Sequence, residues 1–207
     1  MRVHVGRRHV PAPPNPKAPH PPGKVRIIGG EWRGRRLPVA DVPGLRPTPD
    51  RVRETLFNWL QATIPGSRCL DLFAGTGALG FEAASRGAAA VVMLEQDRRA
   101  AETLRQSADL LHAKHVEITE TDALPWLEHA TPKPFDIVFL DPPFQAGLWT
   151  DVLSKLAASP WMAANGVVYL EAPAKPGIEL PAGWDIIKQS RAGQVKFVLT
   201  RFASPSD

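Results

Sequence analysis

The stretch DLFAGTGALG, residues 71–80, lies between a short apolar segment and a helical one. Gly75, Gly77 and Gly80 match the GxGxxG pattern, in which glycines allow a tight turn from a strand into a helix. An acid, Glu95, follows Gly75 by 20 residues. That spacing is typical of nucleotide-binding folds, in which such an acid binds ribose hydroxyls. The stretch therefore predicts a βα unit with a ligand site at its turn.

Alternating strand and helix patterns continue on the carboxyl side of this loop. Strands are predicted over 67–73, 90–96, 115–122, 135–141 and 166–173, and helices over 78–88, 97–113, 123–130 and 147–159. Two last apolar segments, 184–191 and 194–201, flank an Ala-Gly turn and predict a hairpin. Repeated βα units imply a parallel sheet with helices on both faces. We therefore predict a Rossmann-like α/β fold, with a mostly parallel seven-stranded sheet and a C-terminal antiparallel hairpin.

The chain before residue 67 divides into two parts. Residues 1–23 contain seven prolines and few large apolar side chains, so we expect them to be disordered because they cannot offset their ordering entropy. Residues 24–66 predict a basic arm with two short strands around a Gly-rich turn over 24–39. A helix follows within 44–60, with Thr48 as its N-cap and Pro49 at its first position. The α/β domain is predicted over 67–203.

Charge is distributed unevenly along the chain. Residues 1–53 carry 12 Lys and Arg against 3 Asp and Glu, whereas the remainder carries 13 against 18. A basic segment on a mildly acidic body suggests an anionic partner, of which nucleic acid is the commonest. The alternative is a solvated basic tail, which we favour for residues 1–23 but not for 24–53.

Several other classes of function are disfavoured. The single cysteine, Cys69, excludes an internal disulfide, and the histidines show no metal-ligand spacing. No apolar run reaches the roughly 18 residues of a membrane helix, and no apolar segment of a secretory signal follows the N-terminal arginines. We expect a cytoplasmic monomer without a metal or a membrane partner.

The glycine loop by itself leaves two cofactors open, a nicotinamide dinucleotide and S-adenosylmethionine (SAM). Dinucleotide loops usually place their first glycine close to the strand end, where backbone N–H groups meet the diphosphate. Here Asp71 ends the strand, four residues before Gly75. A carboxylate suits a cationic or amine-bearing ligand better than a diphosphate, and SAM has an ammonium, a sulfonium and no phosphate. Asp71 therefore favours SAM.

The DxFxGxG pattern resembles the SAM-binding loop of class I methyltransferases. The resemblance implies that the first two glycines let the backbone approach the cofactor and that Asp71 lies near the methionine moiety. It also implies that Glu95 binds the ribose hydroxyls and that Asp122 meets the adenine amino group, with a helix N-cap as the alternative for Asp122. The predicted cofactor-binding residues of this domain are Asp71, Phe73, Gly75, Gly77, Glu95, Asp122 and Ala123.

The DPPF stretch, residues 141–144, ends the fourth predicted strand of the α/β domain. Two acceptors, the Asp141 carboxylate and the Pro142 carbonyl, can hold the two N–H groups of an amine and stabilise the positive charge that develops there. Phe144 offers a flat face on which a base can stack. The stretch resembles the (D/N)PP(Y/F) motif of amino-group methyltransferases, and we predict Asp141, Pro142 and Phe144 as catalytic.

Five stretches together, RIIGGEWRGRRLPV, RPTPDRVRETLFNWL, DLFAGTGALGFEAASRGA, DPPF and AGQVKF, are similar to the RsmD family of bacterial 16S rRNA guanine-N2 methyltransferases over roughly residues 24–202. The resemblance implies methylation of N2 of one guanine, on an assembled or partly assembled 30S particle. It implies further cofactor contacts from the segment that covers the cofactor, namely Arg46, Thr48 and Arg53. It implies RNA contacts from Arg26, Arg33, Arg35 and Arg36. The proline-rich 1–23 segment is not required by the family pattern.

Three alternatives remain beside this interpretation. The protein could methylate another amine, such as adenine N6, cytosine N4 or a glutamine amide, although the acid of DPPF and the RIIGG arm argue against this. It could be an NAD-dependent oxidoreductase, which Asp71 and DPPF disfavour. It could also be a non-catalytic RNA-binding assembly factor that retains a SAM-like pocket, and a binding measurement with SAM would distinguish that case.

Overall fold

The computed structural model describes residues 23–142, 148–174 and 179–202. The predicted stacking residue Phe144 and nearly all of the proline-rich segment therefore lie outside the described residues. In chain order the elements are β1 Lys24–Arg26, β2 Arg36–Pro38, α1 Asp50–Trp59, β3 Arg68–Asp71, α2 Ala78–Ser85, β4 Ala90–Glu95, α3 Arg98–Leu111, β5 Val116–Glu120, α4 Ala123–His129, β6 Phe135–Leu140, α5 Trp149–Ala158, β7 Met162–Pro173, β8 Trp184–Ala192 and β9 Val195–Phe202.

Seven strands form one sheet in the order β5-β4-β3-β6-β7-β9-β8. The five strands from β5 to β7 pair in parallel, whereas β9 pairs antiparallel with both β7 and β8. The predicted mostly parallel sheet with a C-terminal antiparallel hairpin is confirmed. The strand order reverses direction between β3 and β6, and open α/β sheets bind ligands at the carboxyl ends of the strands beside such a point.

Both faces of the sheet are covered, which explains why its central strands are continuous apolar runs. Successive side chains of a strand point to opposite faces. Cys69, Ile137 and Tyr169 belong to a core cluster with residues of α1, α2 and α3. The next residue along each strand, Leu70, Val138 and Leu170, packs in a second cluster with residues of α4 and α5.

The arm that contains β1 and β2 is fastened to α2 through one buried acid, Glu82. The backbone N–H groups of Ile28 and Gly29 donate to its two oxygens, each at 2.8 Å. Arg86 donates to the same carboxylate at 2.7 Å, and Arg53 approaches it at 3.5 Å. The side chain of Glu82 is fully buried, and a buried carboxylate is tolerated only when it is paired in this way. The arm is therefore held in a fixed position beside the glycine loop.

Some element ends differ from the prediction. Helix α1 begins at Asp50 with Pro49 at the N-cap position and no side-chain cap, so the predicted N-cap role of Thr48 is wrong. Its hydroxyl bonds elsewhere, as described below. Helix α3 begins one residue later than predicted because Asp97 is its N-cap and accepts the N–H groups of Arg99 and Ala100. No helix among the described residues is both long and apolar enough to span a bilayer.

Candidate active site

Three acids lie side by side at the carboxyl ends of β3, β6 and β7. Asp71 pairs in register with Phe139, and Phe139 pairs with Tyr169. Asp141 and Glu171 each lie two residues beyond these partners, and residues two apart in a strand share a face. All three carboxyls therefore belong to the face of the sheet that α1 covers. We call Asp71, Asp141 and Glu171 the carboxyl row.

Asp71 is the most deeply buried acid of the row, and it lies beside the glycine loop. It is 2% exposed, and its Oδ2 accepts the N–H of Gly80 at 3.1 Å. Burial raises the pKa of Asp71 from 3.8 to about 7, and the charge of Asp141 adds to the rise. The backbone N–H groups of Gly80 and Phe73 act in the opposite direction. A buried carboxyl with so little compensation favours a cationic neighbour.

Asp141 directly follows β6 and is partly buried. The Thr48 hydroxyl donates to its Oδ2 at 3.4 Å, across 93 residues of sequence. Burial raises the pKa of Asp141 to about 6, and the hydroxyl of Thr48 opposes this rise. Thr48 was predicted as a cofactor contact, but the structure brings it against the predicted catalytic acid. Pro142, the next residue of the predicted catalytic set, is buried.

Glu171 was not predicted, and it completes the row. It is 4% exposed, and the Tyr169 hydroxyl donates to its Oε1 at 2.6 Å. Burial raises the pKa of Glu171 to about 8, and the charge of Asp141 contributes. The signal was present in the sequence, because an acid that follows a buried apolar strand had already marked Asp71 and Asp141.

The glycine loop has the conformation that its residue types suggested. Gly75 and Gly77 have φ of 52° and 74°, which only glycine adopts readily. A Cβ on Gly77 would also lie 2.6 Å from Phe81 Cδ2, so packing within the protein adds a second reason for this glycine. The N–H of Gly75 donates to Glu95 Oε2 at 2.8 Å, and the N–H of Asp97 donates to Oε1 at 2.8 Å. These bonds fix the Glu95 carboxylate beside the loop.

The remaining predicted cofactor residues of the α/β domain lie at the start of α4 and after β3. Asp122 caps α4, because its Oδ1 accepts the N–H of Leu124 at 3.0 Å. The helix cap, which was the alternative interpretation of Asp122, is thus confirmed. The side chain of Asp122 is exposed, and its contact with the adenine stays a prediction. Ala123 is buried, and Phe73 is partly buried against the core.

Arg53 occupies a different place from the one expected. Its side chain is 1% exposed, and its nitrogens donate to the carbonyls of Thr48 and Arg26 at 3.2 and 2.8 Å, and to Asp50. A buried guanidinium with these partners holds the arm and the Thr48 segment together. Arg53 therefore has a structural role in the protein, and its cofactor contact stays a prediction. Arg46 is exposed and also stays a predicted contact.

The four arginines predicted to bind RNA are all exposed and lie on one arm: Arg26, Arg33, Arg35 and Arg36. Arg26 and Arg36 lie directly opposite each other in the β1–β2 pair, an arrangement of like charges that is unfavourable without an anion. Arg26 is bound to Asp50 at 2.8 Å. A cleft of about 250 Å³ lies here, and its charged lining residues are four bases and one acid: Lys24, Arg26, Arg36, Arg53 and Asp50.

No group of three or more His, Cys, Asp or Glu within the described ranges is arranged to hold a metal ion. In the carboxyl row, Asp71 beside the glycine loop can bind an organic cation, and Asp141 after β6 can accept hydrogen bonds from an amine.

Comparisons with known proteins agree with this geometry. The family described as "Conserved hypothetical protein 95" matches residues 25–201. The ribosomal RNA small subunit methyltransferase D of Escherichia coli is 45% identical over 178 residues, which cover 86% of this chain and 89% of that protein. The protein of the same description from Haemophilus influenzae is 42% identical over 186 residues, 88% of this chain and 96% of its own.

Solved structures give the same result. The structure of yhhF from Escherichia coli matches this chain with a TM-score of 0.78 at 44% identity, and it covers 86% of this chain and 97% of that one. HI0767 from Haemophilus influenzae matches with a TM-score of 0.77 at 39% identity, over 88% of this chain and 100% of that one. The chain therefore belongs to the RsmD family of methyltransferases.

Proposed function

We propose that this protein transfers a methyl group from SAM to the exocyclic N2 of a guanine in small-subunit rRNA, on an assembled or partly assembled 30S particle in the cytoplasm. The observation that carries the proposal is the Asp141 carboxyl. Asp141 directly precedes Pro142, and its carboxyl accepts a hydrogen bond from the Thr48 hydroxyl. It lies in one row with Asp71, the buried acid beside the glycine loop.

The residues around the glycine loop fit SAM better than a dinucleotide. Asp71 is buried, and its only hydrogen bonds among the described residues come from backbone N–H groups. Glu95 adds a second carboxylate at the end of the neighbouring strand. Two acids here would repel a diphosphate and attract an ammonium or a sulfonium. Each oxygen of Glu95 accepts one N–H, and a carboxylate oxygen can accept another bond, here from a ribose hydroxyl.

The acceptor side of the site suits an exocyclic amine. When bound, SAM supplies a methyl group that its sulfonium already activates. The protein must then hold a weak nucleophile, since the amine lone pair is delocalised into the base. The Asp141 carboxylate accepts one N–H and the Pro142 carbonyl accepts the other, which directs the lone pair away from the ring and stabilises the positive charge that forms on nitrogen.

Access to guanine N2 requires the base to leave its stack. N2 lies on the minor-groove edge of a paired guanine, and enzymes that modify a base commonly extrude it from the helix. Phe144 is proposed as the stacking surface for the extruded base, worth about 1–3 kcal/mol. The exposed arginines of the arm are proposed to bind the surrounding phosphates, because Lys and Arg contacts to phosphates supply much of the affinity for nucleic acid.

The test is a methyl-transfer assay with labelled SAM and 30S particles from a strain that lacks the modification. We expect label in N2-methylguanosine, and label in N6-methyladenosine instead would refute the proposal. Asp141→Ala should abolish transfer while SAM binding stays within about tenfold, because the variant removes the amine acceptor and leaves the side chains predicted to bind SAM in place. Asp41→Ala, at an exposed acid of the arm, is the matched control and should retain activity.

A further inference from the structure

Glu171 has a place in the site that neither the motif nor the proposed reaction uses. It lies on β7, and the register of Leu140 with Leu170 makes it the neighbour of Asp141 across the β6–β7 pair. Its carboxyl is held by Tyr169 at 2.6 Å, and the Trp149 indole N–H donates to its backbone carbonyl at 2.8 Å. The side chain is therefore both buried and fixed.

The charged and titratable groups around Glu171 are almost all acidic. Asp141 faces it from β6, Tyr169 from its own strand, and Asp71 lies one strand beyond Asp141. On β9 the residue opposite Glu171 is Phe197, whereas Lys196 lies opposite Ala172 and so belongs to the other face. The Thr48 hydroxyl approaches from the arm and donates to Asp141. Hence, among the described residues of these elements, no cation lies on the face of the row.

Two neighbouring buried carboxyls do not both ionise at low cost, so one of them keeps a proton. Environment decides which one. Asp141 is partly exposed and has a donor in Thr48, whereas Glu171 is almost fully enclosed. The pKa of Glu171 is raised to about 8, against about 6 for Asp141. Such a separation assigns an acid and a base within a pair.

We propose that Glu171 is a positioning residue that retains a proton beside Asp141, which leaves Asp141 as the single ionised acceptor for the substrate amine. The inference rests on the proposed function only for the identity of that amine. With its proton, Glu171 adds no negative charge directly beside Asp141. Tyr169 holds the carboxyl in place so that it neither rotates into the amine site nor competes with Asp141 for the amine N–H groups.

The first test follows the side-chain carboxyl carbons of the ligand-free protein by NMR as pH changes. In the wild type, Glu171 should lose its proton at a higher pH than Asp141. In Asp141→Asn, the midpoint of Glu171 should fall by about one pH unit or more, because the neighbouring charge is gone. In Glu171→Gln, the midpoint of Asp141 should stay nearly unchanged, because Glu171 is already neutral when Asp141 titrates. An Asp141 midpoint above that of Glu171 in the wild type overturns the proposal.

The second test is the pH dependence of methyl transfer by Glu171→Gln, which mimics the protonated acid with nearly the same shape. We expect its rate near pH 7 to stay within about threefold of the wild type. A threefold change in rate corresponds to less than about 1 kcal/mol in activation free energy, so a larger loss would mean that an interaction with the reacting groups is missing. A loss as deep as that of Asp141→Ala would make Glu171 the ionised acceptor and overturn the proposal. Tyr169→Phe should raise the midpoint of Glu171 further, because the bonded hydroxyl lowers its pKa, and an unchanged midpoint would contradict the positioning role.

The two hypotheses fail separately. If the wild-type protein transfers no methyl group to guanine, the proposed function fails, while the NMR titration still decides the order in which the two carboxyls lose their protons. If the titration gives the reverse order while guanine is methylated, only the role of Glu171 fails. Glu117→Gln, at an exposed acid on β5, is the control variant and should leave both midpoints and the rate unchanged.

Discussion

Asp71→Asn should stabilise the ligand-free protein at alkaline pH and weaken its binding to SAM. Asp71 is 2% exposed, and burial raises its pKa from 3.8 to about 7. The folded protein therefore holds this proton more tightly than the unfolded chain. Below both values the acid is neutral in both states and contributes nothing. Between them stability falls as pH rises, and above the folded pKa the full penalty is present.

The size of the effect follows from the rise in pKa. One pH unit corresponds to about 1.4 kcal/mol, so a rise of about three pH units sets an upper limit of about 4 kcal/mol on the penalty. Asparagine is neutral at every pH, and its amide oxygen can still accept the N–H of Gly80. The gain in the free energy of unfolding should thus be larger at about pH 8.5 than at about pH 5, by about 2–3 kcal/mol at most.

The assay is urea denaturation of the wild type and Asp71→Asn at both pH values, with calorimetry of SAM binding at the higher one. Binding should weaken by at least about tenfold, since a charge-assisted hydrogen bond contributes about 1.5–3 kcal/mol. The exposed Glu117→Gln variant is the control and should change neither quantity. An equal gain at the two pH values would refute the electrostatic argument, and unchanged SAM binding would remove Asp71 from the cofactor site.

Three further predictions concern the arm and the glycine loop. Glu82→Gln should lower the free energy of unfolding by about 3–5 kcal/mol, because it removes the buried charge that Arg53 and Arg86 pair with. Hydrogen exchange should become faster at Ile28 and Gly29, and unchanged exchange there would contradict the role of Glu82 in holding the arm. Gly77→Ala should lower the free energy of unfolding by about 1–3 kcal/mol more than Gly34→Ala does. Both glycines have positive φ, but only the Cβ added at Gly77 meets other side chains. Equal losses for the two variants in a denaturation experiment would contradict the packing role of Gly77. Replacing Arg33, Arg35 and Arg36 of the arm together should reduce the slope of log K against log salt in RNA binding by up to about 0.7–0.9 per lost phosphate contact. The control triple removes the same charge elsewhere, at Arg98, Arg99 and Arg191, and should leave the slope unchanged.

The sequence was sufficient for the features that depend on local pattern. The alternation of apolar runs and helical periodicity predicted the parallel sheet, and the Ala-Gly turn predicted its closing hairpin. The position of an acid at the end of a strand also located two members of the carboxyl row, Asp71 and Asp141. These predictions succeed because strand and helix periods and the turn chemistry of Gly and Pro are properties of short segments.

Long-range packing decided the rest. Arg53 was predicted as a cofactor contact, yet the structure buries its side chain, which donates to the Thr48 and Arg26 carbonyls and approaches Glu82. Thr48 has the sequence context of a helix cap, yet its hydroxyl reaches Asp141, 93 residues away. A polar side chain takes the partner that folding brings within reach, and no local period encodes that partner.

The sequence by itself therefore determined the sheet, the glycine turn and the acid before the two prolines. Only the tertiary structure showed that Glu171 stands beside Asp141, because their adjacency comes from the pairing of β6 with β7 and not from any motif. It also showed that Glu82 joins the basic arm to the helix after the glycine loop. The charge state of a buried acid depends on every neighbour within a few ångströms, and those neighbours come from distant parts of the chain.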